Sequence, residues 1–235
     1  QREGISPDAI TFACILKACG NTSAIEEGEK IHNEIVHRGF LREDIIMLGN
    51  ALVAMYVKCD ALGKAEKVLK KLQSRNVVTW STIIAGYAHK GMYEESLSCF
   101  ERMQNEGIEP NSVTLASLLK LCSSNLNLGR GREIHASSIH LGLEFHDPYV
   151  GAILIDMYSH CDCSPDASRL FNRMPHRGVI MWNSLIAGYA QHGYGKLALH
   201  WFDTMQVQCI APTHYTFISL LAACSHSGQV DEGYR

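Results

Sequence analysis

Residues 77–111 read VVTWSTIIAGYAHKGMYEESLSCFERMQNEGIEPN. Trp80, Ile83, Ile84 and Tyr87 recur at i, i+3, i+4 and i+7, the spacing that puts side chains on one face of a helix. Gly91 interrupts the pattern, and Tyr93, Leu97, Phe100 and Met103 then form a second helical stripe. Gly107 and Pro110 supply the glycine and trailing proline of a helix end. Two amphipathic helices of this length cannot bury both stripes against each other alone, so the pair demands a neighbour.

The rest of the chain supplies it. Trp182 stands 102 residues after Trp80 (182 − 80), and Gly188-Tyr189-Ala190, Leu199, Phe202 and Met205 repeat Gly86-Tyr87-Ala88, Leu97, Phe100 and Met103 at the same offset. Two other kinds of unit lie between. One opens with Thr11-Phe12, Thr114-Leu115 and Thr216-Phe217, continues with Cys19, Cys122 and Cys224, and in two copies carries Ile31-His32 and Ile134-His135. The other opens with Gly49, Leu52, Val53 and Tyr56 and is repeated by Gly151, Leu154, Ile155 and Tyr158, with Ala65 and Ala167 in its second helix. Units of thirty-odd residues, each a helix–turn–helix, imply an α-solenoid, stable only as a stack.

Taken in order, residues 1–8 read as the tail of a unit, because SPD repeats the EPN ending. Residues 9–45 and 112–147 are long units, 46–76 and 148–178 short ones, 77–111 and 179–213 carry the tryptophan, and 214–235 begins a further long unit. In the first two units the expected helices lie near Thr11–Cys19, Ile25–Arg38, Asn50–Lys58 and Leu62–Leu72. Both ends read as cut through a unit, so location cannot be argued from a leader sequence.

A 46% hydrophobic content provides for a continuous core, and no apolar run is long enough to span a bilayer. The net charge of −3 argues against a domain that grips phosphates indiscriminately, but not against one that reads bases. Of the nine cysteines, Cys19, Cys122 and Cys224, and Cys59 and Cys161, recur at equivalent unit positions, as small core residues do, and reduced thiols are expected.

The Val-Val-Thr-Trp opening, the IIAGYA run, the GIEPN ending and the copy at 179–213 resemble the pentatricopeptide repeat family. The rotation of three unit types over the whole chain is similar to its PLS subclass, with 9–45 and 112–147 as L, 46–76 and 148–178 as S, and 77–111 and 179–213 as P. The tetratricopeptide repeat shares the helix pair and the small residue at Ala65, Ala167 and Ala198, but its repeat length is constant and these are not.

The resemblance implies an all-α, right-handed superhelical α-solenoid that binds single-stranded RNA at one base per repeat. It places the base-reading pair at the fifth and last residues of a unit. Asn50 with Asn76 implies a pyrimidine, Ser81 with Asn111 adenine, and Asn183 with Thr213 a pyrimidine, although Thr213 departs from the usual Asp, Asn or Ser. Ala152 with Gly178 offers no side-chain hydrogen bond, and Ala13 with Asp44 and Ala116 with Asp147 lie outside the usual code. Met47, Val78, Tyr149 and Ile180 are the expected base-sandwiching residues, and Lys58 matches a phosphate-contacting position filled elsewhere by His89, His160 and Gln191. By the same resemblance the chain is a specificity factor for organellar RNA processing, above all C-to-U editing, in a mitochondrion or chloroplast. The L units would bind multiple organellar RNA editing factors.

Each of these residues also has a structural reading. Asn50 and Asn183 suit helix N-caps, Asn76 and Asn111 suit turns, and Tyr56, Tyr87, Tyr158, Tyr189, Trp80 and Trp182 suit packing. His32-Asn33-Glu34 matches half of a zinc deaminase signature, but the P-C-x-x-C half is missing, and His135 recurs without the glutamate. Cys161-Asp162-Cys163 lacks a second ligand pair, and no phosphate loop or nucleophile motif appears. The sequence therefore calls for no catalytic residue, cofactor, metal, membrane or small-molecule substrate.

Overall fold

The computed structural model describes residues 7–40 and 46–227. Asp44 and most of the 1–8 segment lie outside the described residues, as does the end of the 214–235 segment. The described residues form only helices: α1 (Ala9–Asn21), α2 (Ile25–His37), α3 (Ile46–Lys58), α4 (Leu62–Lys71), α5 (Val77–His89), α6 (Tyr93–Asn105), α7 (Ser112–Ser124), α8 (Leu128–His140), α9 (Leu143–His146), α10 (Pro148–His160), α11 (Ser164–Arg173), α12 (Val179–Gln191), α13 (Gly195–Val207) and α14 (His214–Ser227). None is long and apolar enough to cross a membrane. The chain divides into two compact units, Gln1–Ser117 and Leu118–Arg235.

Each hairpin is built by local chemistry. Asn76 opens α5 through a capping box: its side chain accepts from Thr79 N at 3.0 Å, and its own N–H donates to Thr79 Oγ1 at 3.2 Å. Gly91, in the left-handed region at φ +69°, closes α5. Its N–H reaches Ala88 O, and the next N–H, of Met92, reaches back to Tyr87 O, both at 3.0 Å. That reversal turns the chain directly into α6.

Within the first unit α1 packs on α3 and α3 on α5; within the second α10 packs on α12 and α12 on α14. Second helices wedge from the other side, α4 against both α3 and α5, α11 against both α10 and α12. Within each unit, the apolar stripes of these packed hairpins are thus shared between neighbours. Trp80, Trp182, Phe171 and Leu52 are fully buried, and Tyr56, Tyr87, Tyr158 and Tyr189 are core residues as expected. None of the nine cysteines is joined in a disulfide.

Two departures from the expected elements have physical causes. α3 begins four residues before Asn50 and takes in Gly49, a poor helix former in isolation. Packing overrides that propensity: Leu72 comes so near that a Cβ on Gly49 would lie 2.8 Å from Leu72 Cδ2. The second long unit contains the short helix α9, which the sequence does not announce. Left-handed Gly142 precedes it, and buried Glu144 is held there by His135 Nε2 at 3.1 Å.

The two tryptophans are supported differently. Trp80 Nε1 donates to Glu106 Oε2 at 3.0 Å, Arg75 Nη2 pairs with Glu106 Oε1 at 2.8 Å, and Arg102 lies 5.1 Å over the indole ring. Position 208, one period after Glu106, is Gln208, and Trp182 Nε1 has no partner among the described residues; this ring instead packs edge-on against Phe171 at 4.6 Å. Burial alone would push the Glu106 carboxyl up, but the hydrogen bonds from Arg75 and Trp80 hold it below its ordinary value. Its stabilisation is therefore present above the unfolded carboxylate range and is lost as pH falls through the lowered pKa. Glu106→Ala, which strands a buried indole N–H, is expected to cost about 1–3 kcal/mol in chemical denaturation near neutral pH. The loss should shrink in acid.

Candidate nucleic-acid interface

Seven first helices are described, and in each the second residue is an apolar side chain facing out. These are Ile10, Met47, Val78, Val113, Tyr149, Ile180 and Tyr215, exposed by 40% to 64%. Met47, Val78, Tyr149 and Ile180 are the expected sandwiching set. Ile10, Val113 and Tyr215 complete the register in the long units, and the signal that finds them is the phase of Thr11, Thr114 and Thr216, one residue later.

The fifth residue of each first helix lies one turn further along the same face. Asn50 and Asn183 occupy this place in α3 and α12, so they are not N-caps. The caps are the terminal residues: Asn76 opens α5, and Asn111 accepts from Thr114 N at 3.0 Å before α7. Asn76 and Asn111 are therefore helix starts and not free turn residues.

This arrangement brings fifth and last residues together through a threonine three positions past the cap. The buried Thr79 hydroxyl reaches Asn50 Oδ1, while Thr79 N is held by Asn76. In the second unit Asn183 Nδ2 donates to Thr213 Oγ1 at 3.0 Å, and Asn183 Oδ1 accepts from Thr216 Oγ1 at 2.6 Å. With its oxygen engaged, each asparagine keeps an amide N–H for a further acceptor. These threonines are not among the expected site residues; the recurring Asn76-x-x-Thr79, Asn111-x-x-Thr114 and Thr213-x-x-Thr216 spacing marks them.

Ser81 and Asn111 are not joined in this way. Ser81 is 5% exposed, and its hydroxyl donates to Val77 O at 2.6 Å. It nevertheless borders a cavity of about 420 Å³ together with Thr82, Lys58, Lys90 and Val113. Ala152 is buried, and Gly178 starts α12 with no side-chain cap, so that pair presents nothing polar. Ala116 is buried, and Asp147 caps α10 by accepting from Tyr149 N at 2.9 Å.

The first unit also holds a groove at Asn50. A cavity of about 340 Å³ is lined by Asn50, with Met47 and Val78, and by Lys17, Lys58 and Thr82. Lys58 Nζ donates to Asn21 Oδ1 at 2.7 Å, and exposed Lys90 pairs with Asp60 at 2.6 Å. Backbone-gripping cations are thus few and partly engaged. His89 and Gln191 are exposed, and His160 Nδ1 bonds its own helix at Asp156 O, 2.9 Å away.

The half-signature histidine is structural: His32 Nδ1 bonds Tyr56 OH at 2.8 Å and His135 Nδ1 bonds Tyr158 OH at 2.7 Å, which accounts for the repeat of both residue types. Burial, then a hydrogen bond to Asp166, raises the Cys163 thiol. No group of three metal-ligating side chains occurs among the described residues.

Sequence profiles of the PPR repeat family match residues 75–124 and 177–226, and a PPR repeat profile matches 50–77 and 153–179; together they cover more than half of the chain. The chain belongs to the pentatricopeptide repeat family. Among curated pentatricopeptide repeat proteins of Arabidopsis thaliana, the chloroplastic CRR2 is 39% identical over 241 residues, covering 100% of this chain and 36% of that protein. The mitochondrial At1g06140 is 38% identical over 232 residues, covering 99% and 41%. The chain thus spans well under half the length of these relatives. The crystal structure of the pentatricopeptide repeat protein PPR10 from maize superposes with a TM-score of 0.79 at 16% identity, over 100% of this chain and 34% of that one. PPR10 in complex with an 18-nt psaJ RNA element gives 0.72 at 16% identity, over 99% and 35%. The pentatricopeptide chain therefore has the helical-repeat solenoid fold of PPR10.

Proposed function

We propose that this chain binds single-stranded RNA sequence-specifically, reading one base per repeat along its first helices. The observation that carries the reading is the first-unit groove, where Asn50 stands in one cavity with the exposed apolar pair Met47 and Val78. A base slid between Met47 and Val78 presents its edge to the Asn50 amide. With Asn50 Oδ1 occupied by Thr79, an N–H is left to donate, and the O2 carbonyl common to cytosine and uracil accepts it. The same holds for Asn183 between Ile180 and Tyr215. Ser81 with Asn111 reads adenine, Asn76 and Thr213 fix the two asparagines, Tyr149 stacks, and Lys58 contacts a phosphate. The inferred register, 5′ to 3′ along the chain, is any–pyrimidine–adenine–any–any–pyrimidine.

The alternation of unit lengths supports the PLS subclass and, with it, a role as specificity factor for C-to-U editing in a chloroplast or mitochondrion. In that role the array binds and positions RNA without catalysing the reaction, and the long units dock multiple organellar RNA editing factors. The relatives' names, chloroplastic and mitochondrial, support the organellar setting.

Equilibrium binding tests the reading. Oligomers bearing the pyrimidine–adenine step in register are expected to bind more tightly than oligomers with the two bases exchanged, each matched base contributing about 1–3 kcal/mol. Peptide libraries should not compete. Equal binding of both RNAs would overturn the base reading, and peptide capture without RNA binding would replace it with a peptide-binding helical scaffold.

A further inference from the structure

The short unit at 148–178 has no polar side chain at either expected reading position, yet the positions equivalent to the first-unit groove are not empty of chemistry. α3 and α10 are both 13 residues long and start 102 residues apart, as do α5 and α12. The residues that line the first-unit groove therefore have counterparts in the second unit. Met47 becomes Tyr149, Asn50 becomes Ala152, Ala54 becomes Asp156, Lys58 becomes His160 and Val78 becomes Ile180. Lys17, in the preceding first helix, becomes Lys120.

Loss of an amide at Ala152 thus coincides with gain of a carboxylate at Asp156, one turn further along the same face. Asp156 is 35% exposed at the side chain. Its one ionisable neighbour at pairing distance among the described residues is His160, whose Nδ1 lies 3.5 Å from Oδ1. Burial raises its carboxyl, against the pull of His160 and then Lys120, as befits a partly buried acceptor without a strong protein partner. At the mouth, Lys120 Nζ donates to Tyr149 OH at 3.0 Å and lies 5.4 Å from the ring centroid, which holds that ring in place.

We propose that Asp156 is a specificity-determining residue for guanine at this unit, accepting from the base while Tyr149 and Ile180 hold it by stacking. Two adjacent carboxylate oxygens accept but cannot donate, and the guanine edge offers two adjacent donors, N1–H and the N2 amino group. Uracil and adenine offer one donor each beside an acceptor, and an acceptor facing a carboxylate is repelled. Lys120 is placed for the phosphate, offsetting the repulsion that Asp156 exerts on the backbone. This inference rests on the RNA reading above and deepens it at one unit.

The experiment uses the RNAs 5′-ACAAXC-3′, with X each of the four bases, against the whole chain and Asp156→Asn. The wild type should prefer X = guanine about tenfold over the other three, and Asp156→Asn should abolish that preference while leaving the other RNAs within about twofold. Circular dichroism should show the variant folded. Transplanting the device by Asn50→Ala with Ala54→Asp should move the second nucleotide from pyrimidine to guanine. Binding that is indifferent to X in the wild type overturns the proposal and leaves the RNA reading standing. A uniform gain of affinity in Asp156→Asn overturns it too, since Asp156 would then merely repel phosphate. Failure of every RNA to bind overturns both.

Discussion

Gly188→Ala is expected to destabilise the second unit by about 2 kcal/mol or more, measured by chemical denaturation. Alanine is normally worth up to about 1 kcal/mol over glycine inside a helix, so the sign is set by packing. At Gly188 of α12 an added Cβ would overlap Ser159 Cβ of α10 and lie 3.2 Å from its Cα. The obstacle is backbone and first side-chain atom, which no rotamer moves, so α10 and α12 must separate. Gly28→Ala provides the contrast. There the added Cβ meets the Met55 thioether, at 2.6 Å from Sδ, and a methionine can swing away. Its cost should stay below about 1 kcal/mol. If both variants lose the same amount, the close approach at Gly188 does not hold these helices in place.

Ser81→Asn combined with Asn111→Asp is expected to turn the preference at the third nucleotide from adenine toward uracil. The swing sought is about 1–3 kcal/mol, or roughly fivefold to more than a hundredfold in relative affinity. The substitution fits the site. Ser81 borders a cavity of about 420 Å³, so a larger amide has room. The carboxylate introduced by Asn111→Asp would keep the acceptor for Thr114 N, at a helix N-terminus that favours negative charge. The replaced serine spends its proton on Val77 O, whereas an asparagine at this place would copy the Asn50 arrangement and send an N–H toward the base. Competition between adenine and uracil oligomers measures the change. An unaltered preference would remove Ser81 and Asn111 from the reading face.

Much of this was legible in the chain before its structure. Trp80, Ile83, Ile84 and Tyr87 declare the buried side of α5 because helical periodicity and burial share one cause, and the 102-residue recurrence carries that reading to α12. The exposed row of Met47, Val78, Tyr149 and Ile180 is equally legible once the phase is known. What stayed hidden was tertiary. The start of α3 depends on how Leu72 fills the space beside Gly49, and α9 depends on a buried His135–Glu144 contact. That Thr79 ties Asn50 to Asn76 follows from the approach of α3 and α5, which no spacing within one helix reveals. The burial of Ser81 was invisible for the same reason, since a serine at the fifth residue looks alike whether its hydroxyl faces a ligand or its own carbonyls.

Under the proposed RNA reading, the terminal residues of the units serve two masters. Asn76, Asn111 and Asp147 each supply the following helix with an oxygen for its first free amides, and Gly178, which has no such oxygen, is also the unit end that offers no group to a base. On that reading, sequence preference at this place is limited to side chains that can also cap a helix. A new target must be spelled with letters that can also begin a helix.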